Sequence, residues 1–406
     1  MPSTTTAIQF ASALSREADP RAGAEDIARA VRARLGAQVD LVMVFVTPPH
    51  RHALGRISTR LRELLSPRVL LGCTGEGVVG LGEEVELAPA ISVLAARLPD
   101  VRLTPFRYDQ EDWPGVLNSP RALRRSLGVS RRDLRAMVLL ADPFSVPMVR
   151  LLPALADTYP NVPVVGGMAS GGELPRENRM QLNGRSLESG MTGVALSGNL
   201  SVRTSVSQGC RAIGRPMVIT RARRHLVQEL GGVNALQALH DMLASLDDEQ
   251  RHLAEHSGML IGRVVDEYKD HFGRGDFLIR GVVGLDRKLG YLAIGDPQVR
   301  VGQTIQFHVR DEKTAREDLA LVLEGQKLYG SPGGGLLFTC TARGRGLFQQ
   351  EHTDANLIRD ALGDMPLAGV FAAGEIAPVG SRSYVHGHAA SLLVFRPREE
   401  STRGLS

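Results

Sequence analysis

Three segments of this chain share one pattern, in which a short apolar run is followed by glycine and then by a Gly-Glu pair. The segments lie at residues 71–77, 164–173 and 367–376. Short apolar runs bounded by glycine are typical of buried strands. Glycine at a strand end permits a positive φ and lets a second backbone or a ligand come close. The pattern therefore predicts one tight strand-end turn that the fold uses three times.

The residues around each glycine segment predict a larger repeat. In each copy an apolar strand is followed by an amphipathic helix, a second strand, the Gly turn and a third strand. The glycine follows the first strand at a separation of roughly thirty residues, which is typical of an internal structural repeat. The first strands and their glycines are Leu41 and Gly72, Met137 and Gly166, and Leu336 and Gly369. We predict an α/β fold with mixed sheets, in a two-domain architecture of repeated strand–helix–strand–Gly turn–strand units.

A chain of 406 residues is too long for one typical core. We divide it into an N-terminal tail (1–24), a first domain (25–215), a second domain (216–396) and a C-terminal tail (397–406). Residues 1–20 are rich in Ser, Thr and Ala, which predicts a loosely docked or partly disordered segment. Residues 208–216 combine two glycines with proline, which predicts a loop near the domain boundary.

Composition excludes several classes of partner. The net charge of +4 comes mainly from arginines that are spread along the chain, and aromatic residues make up only 4%. Neither feature favours a nucleic-acid interface. Three widely spaced cysteines, without zinc-ligand spacing, favour a reducing compartment. We found no signal-peptide pattern and no long apolar span. We therefore expect a cytoplasmic protein with no nucleic-acid or membrane partner, no metal and no cofactor.

One glycine segment imitates a nucleotide site. Gly75-Glu76-Gly77-Val78-Val79-Gly80 matches GxGxxG directly after a strand, and Asp100 lies where a ribose-binding acid would lie. That fingerprint also needs a helix that opens at the third glycine. Residues 81–88 contain Gly82 and end at Pro89, so they leave room for two helical turns at most. We therefore favour a tight turn over a dinucleotide site.

Two polar clusters are candidates for chemistry. The first holds Cys340, Arg343, His352 and Asp354. Cys340 would be a nucleophile whose thiol pKa is lowered by nearby arginine, with His352 as its base. The alternatives for Cys340 are a small buried thiol and a ligand contact. The second holds Glu375, Arg382, His386 and His388. In this cluster Glu375 and Arg382 would pair across a pocket. The two histidines would share a strand face, from which they would hold a metal or haem iron.

The motifs of the C-terminal third resemble the FIST C domain. They are Phe338-Thr339-Cys340, Gly344-Arg345-Gly346, Met365-Pro366-Leu367-Ala368-Gly369, Gly374-Glu375-Ile376-Ala377-Pro378 and His386-Gly387. Leu71-Gly72-Cys73-Thr74-Gly75-Glu76 and Gly166-Gly167 are similar to the FIST N domain. The resemblance covers about residues 25–396. It implies that the first domain (25–215) is FIST N-like and that the second (216–396) is FIST C-like. It implies a sensory module that binds small ligands such as amino acids and signals through a partner protein. Some bacterial members are haem-binding nitric-oxide sensors.

From this resemblance we expect a non-enzymatic sensory protein that binds a small ligand between its two domains. The candidate ligand-binding residues are Cys73, Thr74, Gly75, Glu76, Gly166, Gly167, Ser170, Cys340, Arg343, Gly374, Glu375, Arg382 and His386. A cysteine-dependent enzyme using Cys340 with His352, a haem-binding gas sensor and an interaction scaffold are the alternatives. The chain departs from the family pattern at Thr341, Ala342 and Gln349, so the identity of the ligand does not carry over.

Overall fold

A computed structural model describes residues 7–398 and shows three successive units whose strands and helices come in the same order. The first unit consists of β1 (Gln9–Ser15), α1 (Pro20–Leu35), β2 (Leu41–Val46), α2 (Leu54–Leu65), β3 (Val69–Thr74), β4 (Gly77–Gly80), β5 (Glu83–Glu86) and β6 (Ile91–Arg97). A short 3-10 helix (Pro48–Ala53) precedes α2.

The second unit repeats this order with one extra short helix. It consists of β7 (Val101–Tyr108), α3 (Trp113–Val116), α4 (Pro120–Leu127), β8 (Leu134–Ala141), α5 (Met148–Thr158), β9 (Val164–Met168), β10 (Met180–Leu182), β11 (Arg185–Leu187) and β12 (Met191–Gly198). The third unit begins with β13 (Ser201–Gln208). It is then interrupted by an inserted barrel.

The inserted barrel fills residues 210–310. Its elements are β14 (Cys210–Arg223), β15 (Leu226–Leu230), β16 (Val233–Asn234), α6 (Ala235–Ala244), α7 (Asp248–Ser257), β17 (Met259–Val264), β18 (Phe277–Asp286), β19 (Tyr291–Ile294) and β20 (Thr304–Arg310). The strand order is β14-β20-β17-β18-β19-β15, and β15 pairs again with β14, which closes a six-stranded barrel. Closure leaves these six strands without a free edge.

After the barrel the third unit resumes. Its remaining elements are α8 (Glu312–Lys327), β21 (Gly334–Cys340), α9 (Thr353–Leu362), β22 (Leu367–Ala372), β23 (Glu375–Val379), β24 (Arg382–His386) and β25 (Ala389–Arg396). We call the three units together the frame. Within residues 7–398, no helix combines the length and the apolar character that a membrane crossing requires.

Local sequence explains why these elements form. Helix α1 starts where the side chain of Asp19 caps the amide of Ala22, with Pro20 in the first turn, and it ends at Gly36. Its residues Ile27 and Val31 are buried on one face, as the apolar spacing predicts. Strand β2 is apolar throughout and fully buried, because it is covered on both faces.

The three sheets exchange hairpins in a ring. In each sheet the second and third strands of a unit pair in parallel, and the last strand of the unit pairs antiparallel with the second. The sheet is completed by a hairpin from another unit. Hairpin β10–β11 joins β3, β23–β24 joins β9, and β4–β5 joins β22. Each unit is therefore locked to the others by main-chain hydrogen bonds.

The cores follow the same threefold plan. The inward side chains of the three sheets meet in one central core, which includes Phe45, Val138 and Phe338. The outward side chains pack under the helices of each unit, in three separate clusters. The barrel has its own apolar core around Ile261 and Phe307. This architecture confirms the predicted α/β class with mixed sheets and repeated units.

The glycines of the repeat lie inside strands rather than in the turns that follow. Gly72, Gly166 and Gly369 face Val44, Leu139 and Leu337 across the parallel pair of their sheets. A Cβ at any of the three would overlap the carbonyl oxygen of the facing residue. Glycine is required at these positions because two neighbouring backbones come too close for a side chain.

Two further expectations differ from the structure. Residues 210–216 are part of strand β14 and not a loop, because Gly214 and Pro216 lie in a bulge where the register with β20 shifts between Ile213 and Met217. Residues 9–15 form strand β1, which pairs with β6 along its whole length and is not loosely docked. The division into domains at residues 215 and 216 stays a prediction.

Candidate functional site

The predicted residues of the first two glycine segments lie where the three units meet. Ser170 Oγ donates to the Phe371 carbonyl at 2.5 Å and accepts from the Glu76 amide at 2.8 Å. The Ser170 amide donates to the Thr74 carbonyl at 3.2 Å. Cys73 is buried in the central core, where burial raises its thiol pKa. These residues join the units to one another.

The glycines of these segments serve close packing. A Cβ at Gly75 would overlap the Val370 side chain, and one at Gly167 would lie 2.9 Å from the Phe338 ring. A Cβ at Gly374 would lie 2.9 Å from Val385. No helix starts at Gly80, which ends strand β4, so the GxGxxG match is not a nucleotide-binding turn.

The three Gly-Glu pairs are not equivalent in the structure. Glu76 and Glu173 are exposed in loops, whereas Glu375 is fully buried as the first residue of strand β23. In each hairpin one residue of the first strand faces a strand glycine of the neighbouring sheet. The residue just before it is Glu375 in β23, Val78 in β4 and Met180 in β10, so these three positions are equivalent. One copy thus carries a carboxyl where the other two are apolar.

The residue opposite Glu375 shows the same asymmetry. Glu375 faces His386, whereas Val78 faces Val85 and Met180 faces Leu187. An apolar pair in two units is replaced by a buried carboxyl and a buried imidazole in the third. Burying polar groups has a free-energy cost, so their retention in a single copy of the repeat makes that copy the candidate site.

Glu375 belongs to a buried polar cluster. Its Oε2 accepts from the Ala389 amide at 3.1 Å, and its Oε1 has no partner among residues 7–398. Burial raises its pKa well above the usual range. The neighbouring Cys340 is also buried, which raises the pKa of its thiol to about 12. At neutral pH the Cys340 thiol therefore holds its proton.

Arg343 is the cation of this cluster. Its side chain is fully buried, and it donates to both carboxylate oxygens of Asp354, at 2.8 Å from Nε and 2.6 Å from Nη2. Thr339 Oγ1 donates to the same carboxylate at 2.9 Å. Arg343 also lies under Gly209, where a Cβ would come 2.7 Å from Nη1. The arginine therefore supports the point where the barrel leaves the frame.

The structure separates the other predicted pairs. His352 Nδ1 accepts from the Glu84 amide at 2.9 Å and so is not a base for Cys340. Arg382 does not pair with Glu375; it forms an ion pair with Asp157 at 2.9 Å, with both side chains about half exposed. His388 does not share a strand face with His386, because it has φ 60° in the turn after β24.

A cavity of about 740 Å³ opens between the frame and the barrel. We call it the barrel cleft. Its frame wall includes the start of α5, strand β24 and the turn after β24, and its barrel wall comes from β17, β18 and the turn after β19. The residues that line it include Met148, Val149, Arg263, Arg280, Asp296, Tyr384, Val385, His386 and His388. Of the predicted site residues, Arg382 and His386 line this cleft, and Glu375 lies opposite His386 in the hairpin.

The barrel wall holds two arginines around one carboxylate. Arg263 Nε donates to Asp296 at 2.8 Å, and Arg280 Nε lies 3.7 Å from the same oxygen. The attraction of both arginines lowers the pKa of Asp296 although burial acts against it. Arg263 Nη2 is buried and has no partner among the described residues. This wall thus carries a net positive charge and an unused hydrogen-bond donor.

The histidines of the frame wall are neutral. Burial lowers the pKa of His386 and of His388 to about 4. His386 Nε2 is 3.2 Å from the Ala377 carbonyl, which assigns it the proton and leaves Nδ1 as an acceptor. Neither Nδ1 has a partner in residues 7–398. No group of three or more His, Cys, Asp or Glu side chains in this range is arranged to hold a metal ion.

Sequence reasoning missed Arg263, Arg280 and Asp296. A usable signal was present, because both arginines interrupt apolar strand segments, Leu260-Ile261-Gly262-Arg263-Val264 and Phe277-Leu278-Ile279-Arg280-Gly281. A charged residue in an apolar strand must find a partner or a cavity. What the sequence did not contain was the register that brings the two arginines to one aspartate.

Comparison with known proteins gives two matches to families and several relatives. The FIST N domain matches residues 40–233 and the FIST C domain matches residues 235–378. An uncharacterized protein of Mycobacterium tuberculosis is 37% identical over 377 residues, which are 92% of this chain and 96% of that protein. An uncharacterized protein of Mycobacterium bovis is 37% identical over 381 residues, which are 93% of this chain and 96% of that protein.

Two similar solved structures are cyanuric acid hydrolases. The one from A. caulinodans has a TM-score of 0.38 and 9% identity, and covers 97% of this chain and 100% of its own. The second has a TM-score of 0.32 and 11% identity, and the match covers 96% of this chain and 99% of that one. They correct the expectation of a non-enzymatic protein, because these neighbours are enzymes. At these TM-scores they assign no activity and no catalytic residue to this chain.

Proposed function

Because the chain belongs to the FIST family, we propose that it is a sensory protein that binds a small ligand in the barrel cleft and signals through a partner protein. FIST domains are associated with sensing and signal transduction. The cleft lies between the two parts of the chain that differ most in architecture, the frame and the barrel. We also propose a cytoplasmic location, in keeping with three buried free cysteines.

The observation that carries this proposal is the cleft itself. Its volume of about 740 Å³ falls within the range of small-molecule sites. Its walls carry polar groups that include Arg263, Arg280, Asp296 and two neutral histidines. Two guanidinium groups against one carboxylate favour an anionic ligand, whereas His386 Nδ1 would accept a hydrogen bond from an N–H or O–H group. An amino acid or a related metabolite has both features.

The position of the cleft suggests how binding would be passed on. The barrel joins the frame through two adjacent crossings, at Gly209 and at Asp311, whose amide donates to the Gly209 carbonyl at 3.4 Å. A ligand that contacts Arg280 on one wall and His386 on the other would favour one barrel position over others. Such a shift requires only that the ligand bind that position more tightly. The partner protein would then recognise the selected position.

A thermal-shift screen tests the proposal. The wild-type protein would be screened with the common L-amino acids and small organic acids. A ligand at about 100 times its Kd should stabilise the fold by about 2.7 kcal/mol. Arg280→Met should abolish that shift, because it removes a charge of the cleft. Arg221→Met, an exposed arginine elsewhere on the barrel, should preserve it.

Two outcomes would count against the proposal. One is a screen in which no compound stabilises the wild-type protein. The other is a compound that stabilises wild type and Arg280→Met equally, which would place its site elsewhere. Circular dichroism of both variants shows whether they are folded before either result is interpreted.

A further inference from the structure

The repeat places three helix starts in equivalent positions. Helices α2, α5 and α9 each begin beside a hairpin that comes from another unit: β10–β11 for α2, β23–β24 for α5 and β4–β5 for α9. The start of a helix carries amide N–H groups without intrahelical acceptors, and it favours negative charge. The side chain of the hairpin residue beside each helix start therefore shows which chemical group fits next to the free amides.

The strand register identifies the equivalent hairpin residues. Val79, Gln181 and Ile376 each face one of the strand glycines. Their partners on the second strand of the hairpin are Glu84, Ser186 and Val385. These three side chains occupy the same place in the three units.

Two of the three positions hold a polar group next to the helix. Glu84 Oε1 accepts from the Ala355 amide in the first turn of α9 at 2.9 Å. Ser186 Oγ lies 3.2 Å from the place of a Cβ on Gly55, in the first turn of α2, and accepts from Gln181 Nε2. The fold thus places a carboxyl or a hydroxyl against the helix start.

The third position is different. Val385 is apolar, and α5 begins at Met148 without a side-chain cap. The amides of Met148, Arg150 and Leu151 donate to local carbonyls. The Val149 amide lies in the first turn, where an amide has no acceptor inside its own helix. The barrel cleft opens at this place, since Met148, Val149 and Val385 all line it.

Two buried groups of the same cleft point independently to a ligand. His386 is 2% exposed and its Nδ1 has no partner among the described residues. Arg263 Nη2, on the opposite wall, is also buried without a partner there. Buried donors and acceptors are nearly always satisfied in native proteins, so a molecule that fills the cleft would complete them.

We propose that a carboxylate group of the ligand binds at the start of α5, beside Val385, in the place that the Glu84 carboxyl holds at α9. The inference rests on the proposed function of the cleft and adds which group of the ligand binds, and where. The Val149 amide and the two arginines would be its donors. The ligand class is a small carboxylic acid that also carries an N–H or O–H group for His386.

The charges around the start of α9 disfavour an ionised carboxylate, whereas those around the start of α5 favour one. At α9 the pKa of Glu84 is raised to about 8, because burial and the neighbouring Asp354 disfavour its charge. At α5 the cleft carries Arg263 and Arg280 against the single carboxylate of Asp296, and this net positive charge favours an ionised carboxylate on a ligand. The same geometry thus holds a neutral acid in one unit and would hold an anion in the other.

The experiment compares L-amino acids with their carboxamides, and the wild-type protein with Val385→Glu. We expect acids to raise the melting temperature and the matching amides to fail, because an amide lacks the charge. Val385→Glu supplies a carboxyl in the manner of Glu84 and should weaken binding of the acids by about tenfold or more. Val283→Glu makes the same change at an exposed barrel position and should leave binding unchanged.

Each result separates this inference from the proposed function. Equal stabilisation by acids and amides would leave a ligand-binding cleft but overturn the carboxylate site. Acids that bind Val385→Glu as well as wild type would overturn the location at α5. No stabilisation by any compound would overturn both. The comparison of acids with amides uses the unaltered protein, so it decides the ligand class even if Val385→Glu does not fold.

Discussion

Arg343 and Asp354 form a fully buried ion pair with two hydrogen bonds, at 2.8 and 2.6 Å. The pair joins the loop after β21 to the first turn of α9, directly under the junction with the barrel. Breaking a buried pair by removing one partner leaves an uncompensated charge, which costs about 3–5 kcal/mol. Asp354→Asn should therefore lower the free energy of unfolding by about that amount, as measured by urea denaturation.

A matched control is the exposed pair of Arg382 and Asp157. Asp157→Asn should change stability by less than about 0.5 kcal/mol, since water already screens these charges. If both substitutions lowered the free energy of unfolding equally, the buried pair would stabilise the fold no more than the exposed one.

The strand glycines give a second prediction. Gly72→Ala, Gly166→Ala and Gly369→Ala should each destabilise the protein by about 3 kcal/mol, because the new methyl group would overlap a facing carbonyl oxygen. Gly325→Ala in α8, where a Cβ meets nothing within 4 Å, should be neutral or stabilise by up to about 1 kcal/mol. Denaturation midpoints of the four variants test this. If the three strand variants differ widely from one another, the glycines are not equivalent.

A third prediction concerns stability in acid. The pKa of His386 is lowered from the usual 6.5 to about 4 in the folded protein, so the unfolded chain binds this proton first as the pH falls. The stability that the neutral imidazole contributes is complete above pH 6.5 and is lost as the pH falls towards 4. The loss amounts to about 3 kcal/mol.

His386→Gln keeps a donor for the Ala377 carbonyl but does not titrate. It should reduce the slope of the stability profile between pH 6.5 and 4 by the share of this one group, whereas His240→Gln, at an exposed histidine of α6, should leave the slope unchanged. Parallel profiles of wild type and His386→Gln would contradict the buried neutral state.

Glu84 gives a prediction of opposite sign. Its pKa is raised to about 8, so the folded protein holds this proton more tightly than the unfolded chain. Stability from this group is therefore present below pH 4.5 and is lost as the pH rises through 8. Glu84→Gln can still accept from the Ala355 amide and should remove that fall.

The control for Glu84→Gln is its neighbour Glu83, which is partly exposed and pairs with Arg16 at 2.5 Å. Glu83→Gln should leave the pH profile of stability in place. If both variants keep the wild-type slope between pH 4.5 and 8, the Glu84 carboxyl is ionised in the folded state.

The cysteines give a final prediction. Cys73, Cys210 and Cys340 are all buried, and burial raises the thiol pKa of each, to about 12 for the last two. None should react with a thiol reagent in the native protein, and all three should react in denaturant. Rapid labelling of Cys340 in the folded state would show an accessible thiolate. That result would favour the hypothesis that Cys340 is a nucleophile.

Parts of the candidate site were visible in the sequence. Cys340, Glu375 and His386 were singled out as polar residues beside apolar strands, and the structure brings Glu375 next to the other two. Their roles were not visible, because the sequence paired Cys340 with His352 and Glu375 with Arg382. Both pairs are separated by strand register, and register is decided by contacts between residues that lie far apart in the chain.

The sequence by itself determined the repeated units and the α/β class, and it singled out the three glycines although it placed them in turns instead of inside strands. These features depend on local patterns: apolar periodicity selects strand or helix, and glycine marks positions without room for a side chain. Only the tertiary structure decided the exchange of hairpins, the closure of the barrel and the cleft between barrel and frame. Glu84, Ser186 and Val385 share no local pattern, and they became equivalent only when three sheets paired their strands in the same register.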